Sequence, residues 1–253
     1  MKEILKIEHL CKEFDGTSIL SDISFSVNQG EVLCIVGPSG CGKSTLLRCL
    51  NALEPISGGS VYLDGTRVVY GERGLMEVRQ RIGMVFQSYE LFPHKTVLGN
   101  MILAPMLVRR ISRQEAEEEA RTLLKRVHLE NKADSYPRQL SGGQKQRVAI
   151  VRSLMMHPEV LLLDEITAAL DPEMVREVLD VVMDLAEEGK TMLIVTHEMP
   201  FARAIADRML FFDEQKLIED SDPQTFFENP VSPRVKEFLK QFQYERKRKD
   251  GVL

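Results

Sequence analysis

The residue types and spacing best suited to chemistry occur in a glycine-rich stretch, residues 37–45, between an apolar run and a segment of helix-forming composition. Glycines let the backbone wrap around an anion, so that successive N–H groups and the N-terminus of the next helix face its charge. Such a loop suits a nucleotide polyphosphate, with Lys43 reaching the β- and γ-phosphates and the Ser44 hydroxyl coordinating Mg²⁺. The predicted binding residues are Gly37, Pro38, Ser39, Gly40, Cys41, Gly42, Lys43, Ser44 and Thr45. The alternative, a turn that binds nothing, is disfavoured by the complete motif and its flanking elements.

Two carboxylates directly follow another apolar run, residues 160–163. In open α/β sheets ligands gather at the carboxyl ends of the strands, where we expect Asp164 and Glu165 to lie. Asp164 is predicted to hold Mg²⁺ through water, and Glu165, on the other side of the strand, to polarise the attacking water as general base. The alternative is a strand that simply ends in polar residues, and the phosphate loop argues against it.

Two more polar side chains come directly after apolar strands. His197 follows residues 192–196, and we expect its imidazole to hydrogen-bond the γ-phosphate, although a lone histidine at a strand end is often structural. Gln87 follows residues 82–86, and its amide can ligate the metal or the attacking water. Both residues are therefore candidates for sensing the nucleotide.

A second glycine-rich segment, residues 140–144 (LSGGQ), is named here the signature segment. Ser141 and Gln144 have the spacing of a capping box, which predicts a helix N-terminus, and helix N-termini bind anions. The segment lies in a helical block far along the chain from the phosphate loop, so one chain carries two phosphate-binding ends. They meet in one site if two copies pair head to tail. The predicted contacts to the other copy's nucleotide come from Ser141, Gly142, Gly143 and Gln144.

The elements that position these residues alternate between strands and helices. Residues 3–36 and 59–69 read as strands joined by turns at Asp15-Gly16 and Asp64-Gly65, and residues 100–156 have a helical pattern. Further strands are predicted at residues 82–86, 160–163, 191–195 and 209–212, with a helix starting at Asp171-Pro172. This order predicts an α/β fold with a largely parallel, doubly wound sheet, interrupted by a helical subdomain. A helical tail at residues 235–242 precedes a charged run, residues 245–250, which is typical of a frayed end.

Composition narrows the class of protein. The 253-residue chain is long enough for one large domain or two small ones, and its net charge of −5 argues against nucleic acid as a partner. No run approaches the ~20 apolar residues of a membrane-spanning helix, and the first residues lack a secretory signal, so we expect a cytoplasmic protein. The four cysteines lack metal-ligand spacing and read as small hydrophobic residues in a reducing compartment.

Taken together, GPSGCGKST at residues 37–45, Gln87, LSGGQ at 140–144, LLLDE at 161–165, ALD at 169–171 and His197 resemble the ATP-binding subunit of an ABC transporter. The resemblance covers nearly the whole chain. It implies a P-loop NTPase (RecA-like) core, residues 1–89 and 157–220, with an antiparallel β subdomain, an α-helical insert at 90–156 and a C-terminal helical tail at 221–253. It also implies that two such subunits sandwich two ATP molecules and that separate subunits cross the membrane.

The resemblance implies functional roles for two residues, Phe14 and Asp171, whose positions in the sequence alone suggest only structural ones. By position, Phe14 is a half-buried strand aromatic; the family implies that it stacks on adenine. Asp171 is by position a helix cap, and in the family it belongs to a loop that communicates across the dimer. Two departures stand beside these matches: Ile166 and Ala168 replace a Pro and a Ser that the family usually has, which puts normal turnover or dimer communication in doubt.

Finer matches at residues 91–97, 196–202 and 226–230 resemble bacterial importers of polar amino acids. This implies a location on the cytoplasmic face of the inner membrane, integral membrane permease subunits and an extracytoplasmic solute-binding protein. Two alternatives stay open at this point. One is a non-transport membrane complex driven by the same ATPase. The other is a soluble ABC ATPase of translation or DNA repair, which commonly has two nucleotide domains or a long coiled-coil insert.

Overall fold

Two β-sheets and a block of helices make up the part of the chain that the computed structural model describes, residues 2–242. The strands are β1 (Glu3–Phe14), β2 (Thr17–Asn28), β3 (Val32–Val36), β4 (Gly58–Leu63), β5 (Thr66–Arg67), β6 (Ile82–Val85), β7 (Val160–Asp164), β8 (Thr191–Val195), β9 (Arg208–Asp213) and β10 (Lys216–Ser221). The helices are α1 (Lys43–Leu50), α2 (Glu72–Arg81), α3 (Val97–Ala104), α4 (Arg113–Arg126), α5 (Gly142–Leu154), α6 (Pro172–Glu187), α7 (Met199–Ile205), α8 (Pro223–Glu228) and α9 (Pro233–Lys240). A π-helical turn, Pro105–Arg109, continues α3.

The six-stranded core sheet has the order β10-β9-β3-β8-β7-β6 and is parallel except for β10 at its edge. Every residue of β3, β7 and β8 is buried, as expected for central strands that are covered on both faces. Because the strands are parallel, their carboxyl ends meet at one edge of the sheet. The doubly wound sheet predicted from the strand order is confirmed, and that edge receives the phosphate loop, Asp164, His197 and Gln87.

The four-stranded second sheet is antiparallel, with the order β2-β1-β4-β5, and confirms the β subdomain that the resemblance implies. Its two predicted turns form at Asp15-Gly16 and Asp64-Gly65, where all four residues have positive φ. This backbone matches the right-handed twist of a hairpin. The β1–β2 hairpin pairs Phe14 with Thr17, so Phe14 lies at the tip of the hairpin.

Alternate residues of the central strands feed two hydrophobic cores. On β3, Cys34 and Val36 face the helical block, whereas Leu33 and Ile35 face the second sheet and α1. Cys34 and Cys49 are fully buried among apolar side chains, as expected for small hydrophobic residues, and burial raises the pKa of both thiols, that of Cys49 to about 12. The core sheet therefore has a hydrophobic layer on each face.

Helices α3 to α5 occupy residues within the stretch predicted as the helical insert. The predicted helix starts are formed by side-chain caps: the Ser112 oxygen accepts the Glu115 N–H, and the Asp171 carboxylate accepts the Met174 N–H. In residues 2–242, no helix combines the length and apolar character that crossing a membrane requires.

Three elements were not predicted: α2, α7 and β10. No pattern marks α8 either, although it lies within the helical tail at 221–253 that the resemblance implies. Helices α7 and α8 are short, and α2 contains Gly74, so none has a strong periodic signal. Strand β10 pairs only with β9 at the sheet edge. The charged run at residues 245–250 lies outside the described residues.

Candidate nucleotide-binding site

The phosphate loop connects β3 to α1 and depends on glycine at two positions for steric reasons. A Cβ on Gly37 would lie 2.0 Å from the Phe212 carbonyl oxygen, and a Cβ on Gly42 would lie 2.8 Å from the Ile19 carbonyl oxygen. Both residues also have left-handed backbone angles, with φ of 149° and 100°. The loop therefore packs directly on β9 and on the start of β2, which fixes its curvature.

The Lys43 side chain lies inside the phosphate loop. It is buried, and its ammonium group donates to the Gly37 and Pro38 carbonyl oxygens at 2.9 and 2.8 Å. A buried charge needs such partners, and phosphate oxygens are better ones because they carry a negative charge. The nearby Cys41 thiol, 3.8 Å from the ammonium group, has a raised pKa because of its burial, which opposes the effect of Lys43. The loop is thus built to receive an anion.

Ser44 and Asp164 bring two oxygen ligands together. The Ser44 hydroxyl donates to the Asp164 carboxylate at 2.7 Å, and Asp164 is buried. Burial raises the pKa of Asp164, the Ser44 hydrogen bond opposes this, and the charge of Glu165 adds to the rise. A hydroxyl and a carboxylate are hard oxygen donors of the kind that Mg²⁺ prefers, so the residues fit this ion. Across residues 2–242, no cluster of three or more His, Cys, Asp or Glu side chains is placed to hold a metal.

Glu165 and His197 are brought together at the ends of β7 and β8. The His197 Nε2 atom lies 3.1 Å from the Glu165 Oε1 atom, and the Glu165 N–H donates to the Val195 carbonyl oxygen. Glu165 has a φ of 46°, a left-handed conformation that is unfavourable for a side chain other than glycine. The two residues predicted to act in catalysis therefore form a contact pair beside the phosphate loop.

Gln87 is exposed and follows β6, the strand next to β7. The contacts that hold this region were not predicted. The Gln146 side chain, fully buried in α5, donates to the Phe86 carbonyl oxygen, and Arg152 of the same helix donates to the carbonyl oxygens of Tyr89 and Glu90. No local sequence pattern marks these contacts, because the partners lie about 60 residues apart in the chain. Helix α5 thus supports the segment that contains Gln87.

The signature segment forms the N-terminus of α5 with a complete capping box. The Ser141 hydroxyl accepts the Gln144 N–H, and the Gln144 side-chain oxygen accepts the Ser141 N–H. The segment packs on the start of α6: a Cβ on Gly142 would lie 2.9 Å from Leu170, and one on Gly143 would lie 2.9 Å from Met174. In the single chain, these neighbours belong to the segment around Asp171 and not to the phosphate loop.

Phe14 is an exposed aromatic residue on the hairpin that packs against the loop. The residue is 41% exposed at the tip of the β1–β2 hairpin, and Ile19 of the same hairpin lies against Gly42. Ile166, one of the two departures from the family pattern, is buried in the core, whereas Ala168 is exposed. The missing hydroxyl of Ala168 therefore affects a surface position and not the packing.

A glycine-rich loop between the central strand β3 and a helix, with a carboxylate at the end of β7, two strands along the same parallel sheet, defines a P-loop nucleotide hydrolase. Residues 20–168 match the family model described as ABC transporter. The chain belongs to this family, and its core is that of an ATP-binding, ATP-hydrolysing cassette.

Relatives and solved structures agree with this family. The chain is 51% identical to the arginine transport ATP-binding protein ArtM of Bacillus subtilis, over 93% of this chain and 98% of the relative. It is 49% identical to the glutamine transport ATP-binding protein GlnQ of Escherichia coli, with the same two shares covered. A dimeric structure of the ATP-binding cassette MJ0796 bound to ADP and Pi has a TM-score of 0.79 at 32% identity, covering 87% of this chain and 99% of that one. For cbiO1 of Clostridium perfringens, part of the transporter complex cbiONQ, the TM-score is 0.82 at 32% identity, covering 95% and 100%.

Proposed function

We propose that this protein is the ATPase subunit that energises import of a polar amino acid through separate membrane subunits. The observation that carries the proposal is full-length similarity, at about half of all positions, to ATP-binding proteins named for arginine, glutamine and glutamate transport. These relatives carry different solutes, and the described residues contain a nucleotide site and no obvious solute site. The proposal therefore names the class of solute and leaves its identity to the membrane and solute-binding subunits.

At the nucleotide site, each residue has a proposed task. Lys43 and the loop N–H groups bind the β- and γ-phosphates, and Phe14 stacks on the adenine. Ser44 and Asp164 would hold Mg²⁺, with Gln87 as a further ligand, and the bound ion would neutralise charge on the phosphates. Glu165 accepts a proton from the attacking water. His197 holds the Glu165 carboxylate at 3.1 Å and contacts the γ-phosphate from the next strand.

The site is completed by a second copy of the chain. Residues 141–144 place backbone N–H groups at the start of α5, where a γ-phosphate could accept them. In the single chain, the Gly143 N–H donates instead to the Met174 sulfur, next to the segment around Asp171. Two copies arranged head to tail place each signature segment over the other's phosphate loop, with Asp171 at the contact. The dimeric cassette MJ0796, which shares the fold, supports this arrangement.

An apolar cavity of about 480 Å³ is the proposed contact with the membrane subunit. It lies between the ends of α1 and α2, α3 and the segment after β6, and its walls include Leu53, Phe92 and Leu107, which are 40%, 42% and 70% exposed. Exposed apolar surface of this kind marks interaction sites, and a groove suits a helix from the partner. Because Phe86 also lines the cavity, a helix bound there touches the residue before Gln87.

The test is purification of the complex in detergent, followed by reconstitution in liposomes with its solute-binding protein. We expect the chain to co-purify with integral membrane subunits at the cytoplasmic face of the membrane. Arginine, glutamine or glutamate should then raise the ATPase rate and accumulate inside the vesicles. Membrane subunits without any amino acid uptake would favour a non-transport complex, and a chain that binds no membrane protein would favour a soluble ATPase.

A further inference from the structure

Lys12 is a buried cation next to the proposed adenine-binding ring. It is 5% exposed and lies two residues before Phe14 on β1, so the two side chains emerge on one face of the strand. The Lys12 ammonium group lies 4.1 Å from the centroid of the Phe14 ring. This distance is within the range of a cation–π contact, and the low exposure strengthens it.

The hydrogen bonds of Lys12 fix its ammonium group in place. One N–H donates to the Glu54 carboxylate at 3.2 Å and another to the Pro55 carbonyl oxygen at 2.9 Å. An ammonium group has three donors, so one remains for the ring. The ring is therefore covered by a cation on one face, while its 41% exposure leaves surface free for a ligand.

Both partners of Lys12 follow α1, the helix that starts at the phosphate loop with Lys43. Lys12 thus joins the tip of the β1–β2 hairpin to the far end of α1, while Ile19 of the same hairpin packs on Gly42 at the near end. Two attachments to the loop and its helix set the separation between the Phe14 ring and the phosphates. A bound nucleotide must span this separation, because its base and its phosphates bind at the same time.

We propose that Lys12 is a positioning residue for ATP. Its ammonium group covers one face of the Phe14 ring and holds the ring in place, so that adenine stacks on the other face. The inference rests on the proposed role of Phe14 in binding adenine. The cation also attracts the negative charge of the ring face towards itself, and this favours an electron-rich base on the opposite face. Lys12 touches no part of the nucleotide itself and acts only through the ring.

The experiment compares ATP with inorganic tripolyphosphate, which carries the phosphates without the base. Dissociation constants are measured by titration calorimetry in EDTA, so that no hydrolysis occurs, on full-length Lys12→Met, Lys12→Arg, Phe14→Leu and Lys12→Met/Phe14→Leu variants. Lys12→Met should weaken ATP binding about threefold to tenfold and leave tripolyphosphate binding unchanged. Lys12→Arg should bind ATP as the wild type does, and Lys12→Met should have no further effect in the Phe14→Leu background. Glu54→Gln is the control that keeps the cation on the ring.

The outcomes separate the positioning role proposed for Lys12 from the adenine-binding role proposed for Phe14. If Lys12→Met weakens ATP and tripolyphosphate equally, or still weakens ATP binding in the Phe14→Leu background, the residue supports the loop and not the ring, and the inference is wrong. If Phe14→Leu weakens ATP binding and Lys12→Met does not, the inference alone fails. An unchanged ATP affinity in Phe14→Leu overturns the adenine assignment together with it. Should Lys12→Met not fold, the Lys12→Arg and Glu54→Gln variants test the same point, because loss of ATP selectivity in Lys12→Arg would contradict a role for the cation.

Discussion

Glu165 combines a left-handed backbone with a carboxylate in contact with His197, and its chemistry depends on the charge of that carboxylate. Glu165→Gln keeps the shape and removes the base. We expect ATP hydrolysis to fall by at least about 100-fold while ATP still binds, because general base catalysis contributes factors of this size. Single-turnover hydrolysis and nucleotide binding measure the two effects.

The matched control is Glu187→Gln, an exposed residue at the end of α6. It should hydrolyse ATP at the rate of the wild type. Undiminished hydrolysis in Glu165→Gln would remove Glu165 from the role of general base and leave the water to be activated by another group.

Gly42 and Gly65 allow a second comparison at the scale of one residue. Both have positive φ, 100° and 73°, so alanine strains either backbone, but only at Gly42 would the new Cβ meet other atoms. Gly65→Ala should cost about 1 kcal/mol of stability and leave ATP binding intact. Gly42→Ala should weaken ATP binding by more than about tenfold, because a methyl group 2.8 Å from the Ile19 carbonyl oxygen moves the loop.

Thermal unfolding and nucleotide titration on both variants check this comparison. Normal ATP affinity in Gly42→Ala would show that the loop tolerates displacement from β2. It would also weaken the argument that the hairpin fixes the position of the loop.

Site residues such as Lys43, Ser44, Asp164 and Glu165 could be predicted from the sequence because each comes shortly after an apolar run that reads as a strand. Parallel strands end at one edge of a sheet, so residues that follow them are expected to lie close together. Structure brings them together as expected. Lys12, Gln146 and the contact between Glu165 and His197 were not found, because their partners lie elsewhere in the chain and no local pattern marks them. The functional role of each site residue stays a prediction until it is tested.

At the scale of elements, the capped helices α4 and α6 provide a test of whether Asp171 does more than begin a helix. Asp171→Ala and Ser112→Ala each remove one cap, which should cost about 1 kcal/mol and lower the Tm by roughly 2–4 °C in a chain of this size. Because Asp171 is also proposed to act across the dimer, Asp171→Ala should lower the ATPase rate several-fold further than Ser112→Ala does. Equal rates in the two variants would limit Asp171 to capping.

Central strands, hairpin turns and capped helices were predicted well because burial on both faces, turn residues and cap residues each leave a local pattern. The local sequence pattern is weak for short helices such as α7 and α8 and for the edge strand β10. They form because the completed core gives them a surface to pack on, for example Phe226 of α8 against Phe211 of β9.

At the scale of the whole molecule, a mixing experiment tests the head-to-tail dimer. Glu165→Gln and Ser141→Arg should each be inactive alone, since every composite site then contains one defect. A mixed dimer places both defects in one site and leaves the other intact, so mixing the two variants should restore activity, at most to roughly a quarter of the wild-type rate if pairing is random. Steady-state ATPase assays of the mixture measure this recovery. Absence of any recovery would indicate that each site is built from one chain.

Helix α5 carries the signature segment at its first turn and, along its length, the side chains that hold residues 86–90 beside the apolar cavity. The helix has thirteen residues and is about 20 Å long; its first turn packs on the start of α6, and Arg152 near its other end holds the carbonyl oxygen of Glu90. A tilt of only about 5° around one end shifts the other by roughly 2 Å over this length, which is enough to make or break a hydrogen bond. In the complex proposed above, displacement of the segment after β6 by the membrane subunit would therefore be transmitted through α5 to the signature segment, and so to the second copy's nucleotide.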